Sequence, residues 1–212
     1  NLSASGSVKD IPFRVSVGYS NQNGILKTDN FARTSAALSL SPKFLNNSLA
    51  VNVNLKLANT KNRFADGGAV GAALGMDPTK PVYTDSQQYG GYWEWLDSQG
   101  LYKQLSGFNP LALLELRDNT SNVNRLIGNI ELDYAIPAVP GLHVKTNLGL
   151  DNTNGKGTDL ISALSATNYL TKGRMSDYKQ GKVNKLWDVS LFYEKDLTNL
   201  RSKIDVLALH SY

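Results

Sequence analysis

The sequence predicts an all-β chain, an antiparallel up-and-down meander of about eight strands of the transmembrane β-barrel type, with short helices in a long outer loop. Three observations predict it. Apolar residues recur at every second position over most of the chain, which gives each segment one greasy and one polar side because strand side chains alternate between faces. The connections alternate between short and long, the form of a bacterial barrel with tight turns at one rim and extended loops at the other. No apolar run approaches the length of a membrane-spanning helix.

In chain order, Leu2, Ala4, Gly6 and Val8 make a faint first strand. A short connection over 8–12 leads to Ile11, Phe13, Val15, Val17 and Tyr19, alternating with Pro12, Arg14, Ser16, Gly18 and Ser20. After an intermediate connection, 22–33, come Ala36, Leu38 and Leu40, then a short turn at 42–47. Leu49, Val51, Val53, Leu55 and Leu57 follow, opposed by Asn52, Asn54 and Lys56. Beyond the long connection 61–124, Gly128, Ile130, Leu132 and Tyr134 alternate with Asn129, Glu131 and Asp133. A short turn at 137–141 precedes Leu142, Val144, Thr146, Leu148 and Leu150, set against His143, Lys145 and Asn147. A second long connection, 152–184, leads to Trp187, Val189, Leu191 and Tyr193, where Leu186 and Phe192 intrude on the polar side. After a short connection at 195–201, Ile204, Val206 and Ala208 close the series.

If this sheet lies in a bilayer, its greasy side meets lipid. The side bearing Arg14, Asn52, Asn54, Lys56, Glu131, Asp133, His143 and Lys145 then faces a wet lumen. Alternation alone leaves another reading open, a soluble sheet whose greasy side packs on a core. The segregation of long loops to one end favours the barrel. Keeping both faces aligned across the 137–141 turn pairs Asp133 with Lys145, Leu132 with Thr146 and Glu131 with Asn147, since a one-residue slip would carry Asp133 among the leucines.

Residues 61–124 break the two-residue rhythm. The run 66–76 reads as a short helix with Asp66 as N-cap and Pro78 ending it. Its Gly71 and Gly75 suit close packing of a small helix rather than a membrane dimer. Asn109 caps a second helix that begins with Pro110. Between them Tyr89, Tyr92, Trp93, Trp95 and Tyr102 form an aromatic cluster. Such rings can stack on sugars or hold peptide side chains, and they are also what a long loop uses to build a core of its own. The second role is the more general one.

The remaining composition excludes several functions. There are 22 Lys and Arg against 18 Asp and Glu, a net charge of +4, without a basic run that would mark a nucleic-acid partner. With no cysteine and only His143 and His210, far apart, a metal centre or a catalytic triad lacks material. Glu131 and Asp133 at strand spacing could imitate a glycosidase pair, but two carboxylates on a polar strand face are far more often solvated. No phosphate- or dinucleotide-binding glycine pattern occurs, so neither a cofactor nor a catalytic residue is assigned.

The stretch Ser16-Val17-Gly18-Tyr19-Ser20-Asn21-Gln22-Asn23-Gly24-Ile25-Leu26, followed by Phe31-Ala32-Arg33-Thr34, resembles the early barrel of the SusC/RagA family of TonB-dependent outer-membrane transporters. Arg63-Phe64-Ala65-Asp66, Met76-Asp77-Pro78-Thr79-Lys80-Pro81-Val82-Tyr83, Asn109-Pro110-Leu111-Ala112-Leu113-Leu114, Arg125-Leu126-Ile127-Gly128-Asn129-Ile130-Glu131-Leu132-Asp133-Tyr134 and Pro140-Gly141-Leu142 follow in the family's order. The resemblance weakens after Asp151. It implies that 1–212 is a partial barrel domain of a larger barrel of about 22 strands, with 61–124 and 152–184 as extracellular loops. The plug domain and remaining strands lie elsewhere, so this segment alone would not transport. It further implies import of a glycan or peptide across the outer membrane of a Gram-negative bacterium, energy from TonB through an N-terminal region, and a SusD-like surface lipoprotein partner. Two other readings stay open: a complete eight-stranded outer-membrane barrel, in which the first and last strands pair, and a soluble β-sandwich binding module.

Overall fold

A computed structural model describes all residues except Asp10, Asn199 and Leu200, which fall in two of the expected short turns, 8–12 and 195–201. Among the described residues there are nine strands: β1 (Leu2–Val8), β2 (Ile11–Asn23), β3 (Asn30–Leu40), β4 (Lys43–Phe44), β5 (Leu49–Phe64), β6 (Arg117–Ala135), β7 (Leu142–Ile161), β8 (Arg174–Leu197) and β9 (Ser202–Ser211). Two helices, α1 (Gly68–Gly75) and α2 (Pro110–Glu115), lie in the β5–β6 connection, and a single 3-10 turn, Ala166–Asn168, in the β7–β8 connection. The strands form one antiparallel sheet in the order β1-β2-β3-β5-β6-β7-β8-β9, with β4 a two-residue offshoot beside β5.

The sheet is open. Strands β1 and β9 sit at opposite edges and do not pair, which removes the complete eight-stranded barrel. No second sheet covers either face among the described residues, which removes the sandwich. Among the described residues the buried apolar side chains are Ala69, Tyr89, Tyr92, Ala112 and Leu114, all within the β5–β6 connection. The total accessible surface is 14571 Å², whereas a compact protein of this mass exposes about 9,700 Å². Among the described residues nothing packs over the greasy side of the sheet.

Register keeps the two faces apart across the whole sheet. Phe13, Leu40, Val53, Ile130, Leu148 and Trp187 lie in one line across β2, β3, β5, β6, β7 and β8. The next line, Arg14, Ser39, Asn54, Asn129 and Gly149, points to the other face. The predicted pairs Asp133 with Lys145, Leu132 with Thr146 and Glu131 with Asn147 are all present. On β5 the apolar line from Leu49 to Leu57 spans about 27 Å along the strand. With the usual tilt of such strands that is about 20 Å of height, comparable to the apolar band of an outer-membrane barrel.

The strands extend further than alternation indicated. The connection expected at 61–124 is 65–116, because β5 continues to Phe64 and β6 starts at Arg117. That expected at 152–184 is only 162–173, since β7 runs to Ile161 and β8 starts at Arg174. The 22–33 connection shrinks to 24–29. These added stretches are mainly polar on both faces, with apolar residues such as Phe31, Phe64, Met175 and Val183 too scattered to set a greasy rhythm. Side-chain hydrogen bonds between strands replace apolar pairs there. Asn59 donates to Asn122 at 2.6 Å and to Asn124 at 2.8 Å, and Asn62 donates to Ser121 at 2.9 Å.

Helix α2 follows its sequence signature, with Asn109 accepting from the Leu111 and Ala112 amides and Pro110 in the first turn. Helix α1 departs from expectation. Its N-cap is Gly67, and the Asp66 carboxylate accepts from the Gly68 amide at 2.9 Å while also binding Arg117. Neither Gly71 nor Gly75 is needed for close packing, because a Cβ at either would meet nothing within 4 Å. The turn after β6 does need its glycine. Gly141 has φ +89°, and a Cβ there would lie 1.9 Å from the Glu194 carbonyl oxygen on β8.

Candidate binding wall and loop cluster

The eight polar-face candidates share one face, as continuous pairing without bulges requires. Asn52, Asn54 and Lys56 alternate along β5, and Asn52 opposes Glu131. Asp133 opposes Lys145, and His143 lies two residues along β7. Arg14 reaches the same face through Ser39. Asp133 joins two of them, with its carboxylate 2.8 Å from the His143 Nδ1 and 3.0 Å from the Lys145 Nζ. Asn52 donates to Glu131 at 3.4 Å. Phe192, on this face of β8, carries the Lys145 ammonium 5.8 Å above its ring. These groups line a wall; they do not converge on a point.

The loop cluster is held by one residue. Asn109 is 1% exposed and bonds through every polar atom it can use. Its side-chain amide donates to the Val82 carbonyl at 2.7 Å and the Trp93 carbonyl at 3.1 Å. Its carbonyl oxygen caps α2, and its backbone amide donates to both oxygens of the Glu94 carboxylate at 3.2 and 3.3 Å. Glu94 is itself buried, and burial pushes its carboxyl up to about 7 despite that amide. Sequence reading identified Asn109 as a helix cap but left out its second role and Glu94 altogether. A capping Asn beside Pro looks the same whether or not the loop folds back over it.

Around this hub the aromatic residues divide. Tyr89 and Tyr92 are buried, so their rings are occupied by packing within this loop and, for Tyr89, against Tyr169 of the β7–β8 connection. The Tyr89 hydroxyl accepts from the Tyr102 amide at 2.8 Å, and the Tyr92 hydroxyl donates to Glu115. Glu115 also meets Lys27 from the β2–β3 loop, and these two contacts, Lys27 first, hold its carboxyl below the usual range. Trp93 and Trp95 pack edge to face at 4.8 Å and remain half-buried. Tyr102 reaches a cleft. Stacked on Phe108 at 4.8 Å and 11°, it faces Tyr169 and Leu170 across a space of about 540 Å³ between the two long loops. Phe108 stands apart from the aromatic run and Tyr169–Leu170 lie on the other loop, so no local pattern in the sequence joins them to Tyr102.

The loops of one end are thus tied together. Tyr169 packs on Tyr89 at 5.0 Å, the Ser162 amide donates to the Leu116 carbonyl, and Thr28 donates to Leu114. Below them Arg117 binds Asp159 and Asp66, and Arg174 binds Asp159, a four-member ion network at the loop end of the polar face. Among the described residues no group of three or more His, Cys, Asp or Glu is placed to hold a metal ion.

No protein-family model matches the chain. Among curated proteins it is 37% identical over 211 residues to the TonB-dependent receptor SusC of Bacteroides thetaiotaomicron, an alignment covering 93% of this chain and 21% of that protein. It is 27% identical over 139 residues to the TonB-dependent receptor P26 of Formosa agariphila, covering 64% of this chain and 13% of that one. The RagAB peptide transporter superposes with a TM-score of 0.71 at 19% identity, over 99% of this chain and 23% of that one. The RagAB peptide importer in its open-open state superposes at 0.68 with 21% identity. The chain therefore spans about a fifth of the length of the SusC relative. An open sheet, greasy on one side and polar on the other with its long loops at one end, is what a segment of barrel wall looks like, and this chain belongs to the SusC/RagA family of TonB-dependent outer-membrane receptors.

Proposed function

We propose that the whole protein imports a glycan or a peptide across the outer membrane of a Gram-negative bacterium, using TonB as its energy source and a SusD-like surface lipoprotein as its partner. The observation that carries this reading is the two-faced open sheet shared over nearly the full chain with SusC and the RagAB transporter. On this reading the line through Val53 and Ile130 meets lipid. Arg14, Asn52, Asn54, Lys56, Glu131, Asp133, His143 and Lys145 line the lumen, and the loop cluster stands outside the cell. Among the loop aromatics Tyr102 contributes to cargo contact, whereas Tyr89, Tyr92, Trp93 and Trp95 shape the loop that presents it.

The protein acts by binding and passage, without covalent chemistry. The test is uptake by cells that express the complete receptor, measured for labelled oligosaccharides and oligopeptides with and without an intact TonB system. Accumulation that depends on both the receptor and TonB is expected. Equal uptake by receptor-deleted cells for both cargo classes would overturn the reading. Co-purification of a surface lipoprotein with the detergent-extracted receptor checks the partner.

A further inference from the structure

On the polar face, near the upper edge of the apolar band, three cations surround a floor of small side chains. Lys56 stands on β5 opposite Ala37, Arg33 on β3 opposite Thr60, and Arg125 on β6 opposite Ala58. Between them Ser35, Ala37 and Ala58 leave a depression of about 210 Å³. Arg125 is held by a two-pronged ion pair with Asp151, at 3.0 and 2.7 Å. Among the described residues neither Arg33 nor Lys56 has an anionic partner. Among the described residues Asp151 is the one carboxylate on this face in the neighbouring rows. It stands two strands from Lys56 and is already engaged by Arg125. Glu131, also on this face, opposes Asn52, four residues along β5 from Lys56 and nearer the turn end.

Like charges gathered around a vacant floor repel one another, and an anion placed among them relieves that repulsion. The arrangement differs from the rest of this end of the wall, where Arg117, Arg174, Asp66 and Asp159 neutralise each other. A guanidinium offers two parallel donors that match a planar carboxylate, and the nearby ammonium of Lys56 adds a compact charge. Small floor residues let such a group approach the wall closely. We propose that this depression is a binding site for a carboxylate group of the cargo, with Arg33 and Lys56 as its principal contacts and Arg125 as an oriented third.

This inference rests on the import reading and names the chemistry of what is carried. It is tested with the complete receptor and its partner purified in detergent, using two matched pairs of probes. One pair is tetragalacturonate and its methyl ester; the other is an Asp-Gly pentapeptide and its Asn-Gly twin. In at least one pair the acidic member is expected to bind at least about tenfold tighter at low salt, with the gap closing as ionic strength rises. The double variant Arg33→Gln/Lys56→Gln should reduce the gap to below about threefold, with the acidic member losing the greater part of its affinity. The pair that responds tells whether the carboxylate belongs to a sugar or a peptide.

Equal affinity of acid and neutral twins in both pairs, or a preference that survives in the double variant, would sink the proposal. So would a double variant that loses thermal stability without a change in the ratio, since Arg33 and Lys56 would then be pairing with acidic groups of the receptor itself. The import reading fails on other grounds, by TonB-independent uptake in cells, so the two failures are distinguishable.

Discussion

Single residues decide whether the outer loop is a folded body or a loose strap. Asn109 joins Val82 and the Trp93–Glu94 segment to α2, and its loss leaves the Trp93 carbonyl without a partner, the Val82 carbonyl with only the Trp93 amide, and α2 without its cap. Asn109→Ala should cost the loop about 2–4 kcal/mol, from a lost cap and unsatisfied buried groups. Amide hydrogen exchange over 82–115 is expected to quicken while exchange in β5 and β6 stays unchanged. Glu94 adds a pH dependence whose sign follows from its environment. Its carboxyl titrates near 7 in the folded loop, above the ordinary 4.5. The stability it contributes is therefore complete below about 4.5 and is lost as the pH rises to about 7. Glu115 acts the other way, being held low by Lys27 and Tyr92, so its contribution is present above its ordinary value and lost in acid. Proteolytic nicking of the loop should rise between about pH 5 and pH 8, and Glu94→Gln should flatten that rise. A pH-independent nicking rate in the unaltered protein would contradict this account.

At the scale of elements, the strands are held by register and by their turns more than by any core. The 136–141 turn brings β6 and β7 into the alignment that seats Asp133 opposite Lys145. Gly141 contributes twice, through its positive φ and through its contact with Glu194, whose amide donates to the Gly141 carbonyl at 2.9 Å. Gly141→Ala should destabilise the β6–β7–β8 region by more than about 1 kcal/mol. It should be read as less heat-resistant, folded barrel in membranes carrying the complete receptor. The Asp133 to Lys145 pair itself is worth less than about 1 kcal/mol, so a double-mutant cycle on it should return a small coupling. The pair specifies alignment more than it stabilises. The elements were legible wherever one face was greasy, as in β5 between Leu49 and Leu57. They were illegible where both faces turned polar, as in β7 beyond Asn152, because a strand held by Asn side chains has no hydrophobic period to read.

For the whole molecule, the test is which face tolerates charge. Val53 lies mid-band on the apolar face and Asn54, its neighbour, on the polar one. Val53→Arg should cost about 2–4 kcal/mol of folding free energy in bilayers, and Asn54→Arg should cost close to nothing. Denaturant titrations of the complete receptor in lipid vesicles measure both. Equal costs would mean that the face containing Val53 does not meet lipid. The same sidedness accounts for the large exposed surface, since an area that lipid and the rest of a barrel would cover stands bare in this segment.

By itself the sequence determined the strand type, the two faces and the β6–β7 register. These follow from a period of two and from turn residues, both of which are local properties of the chain. Tertiary structure alone decided how far the polar strands project and that Asn109 and Glu94 meet inside the loop. It also decided that Tyr102, rather than Tyr89 or Tyr92, opens on a cleft, and that Arg33, Lys56 and Arg125 surround one vacant floor. Such meetings join residues far apart in the chain. A polar side chain carries no local mark of the partner it will find once distant segments come together.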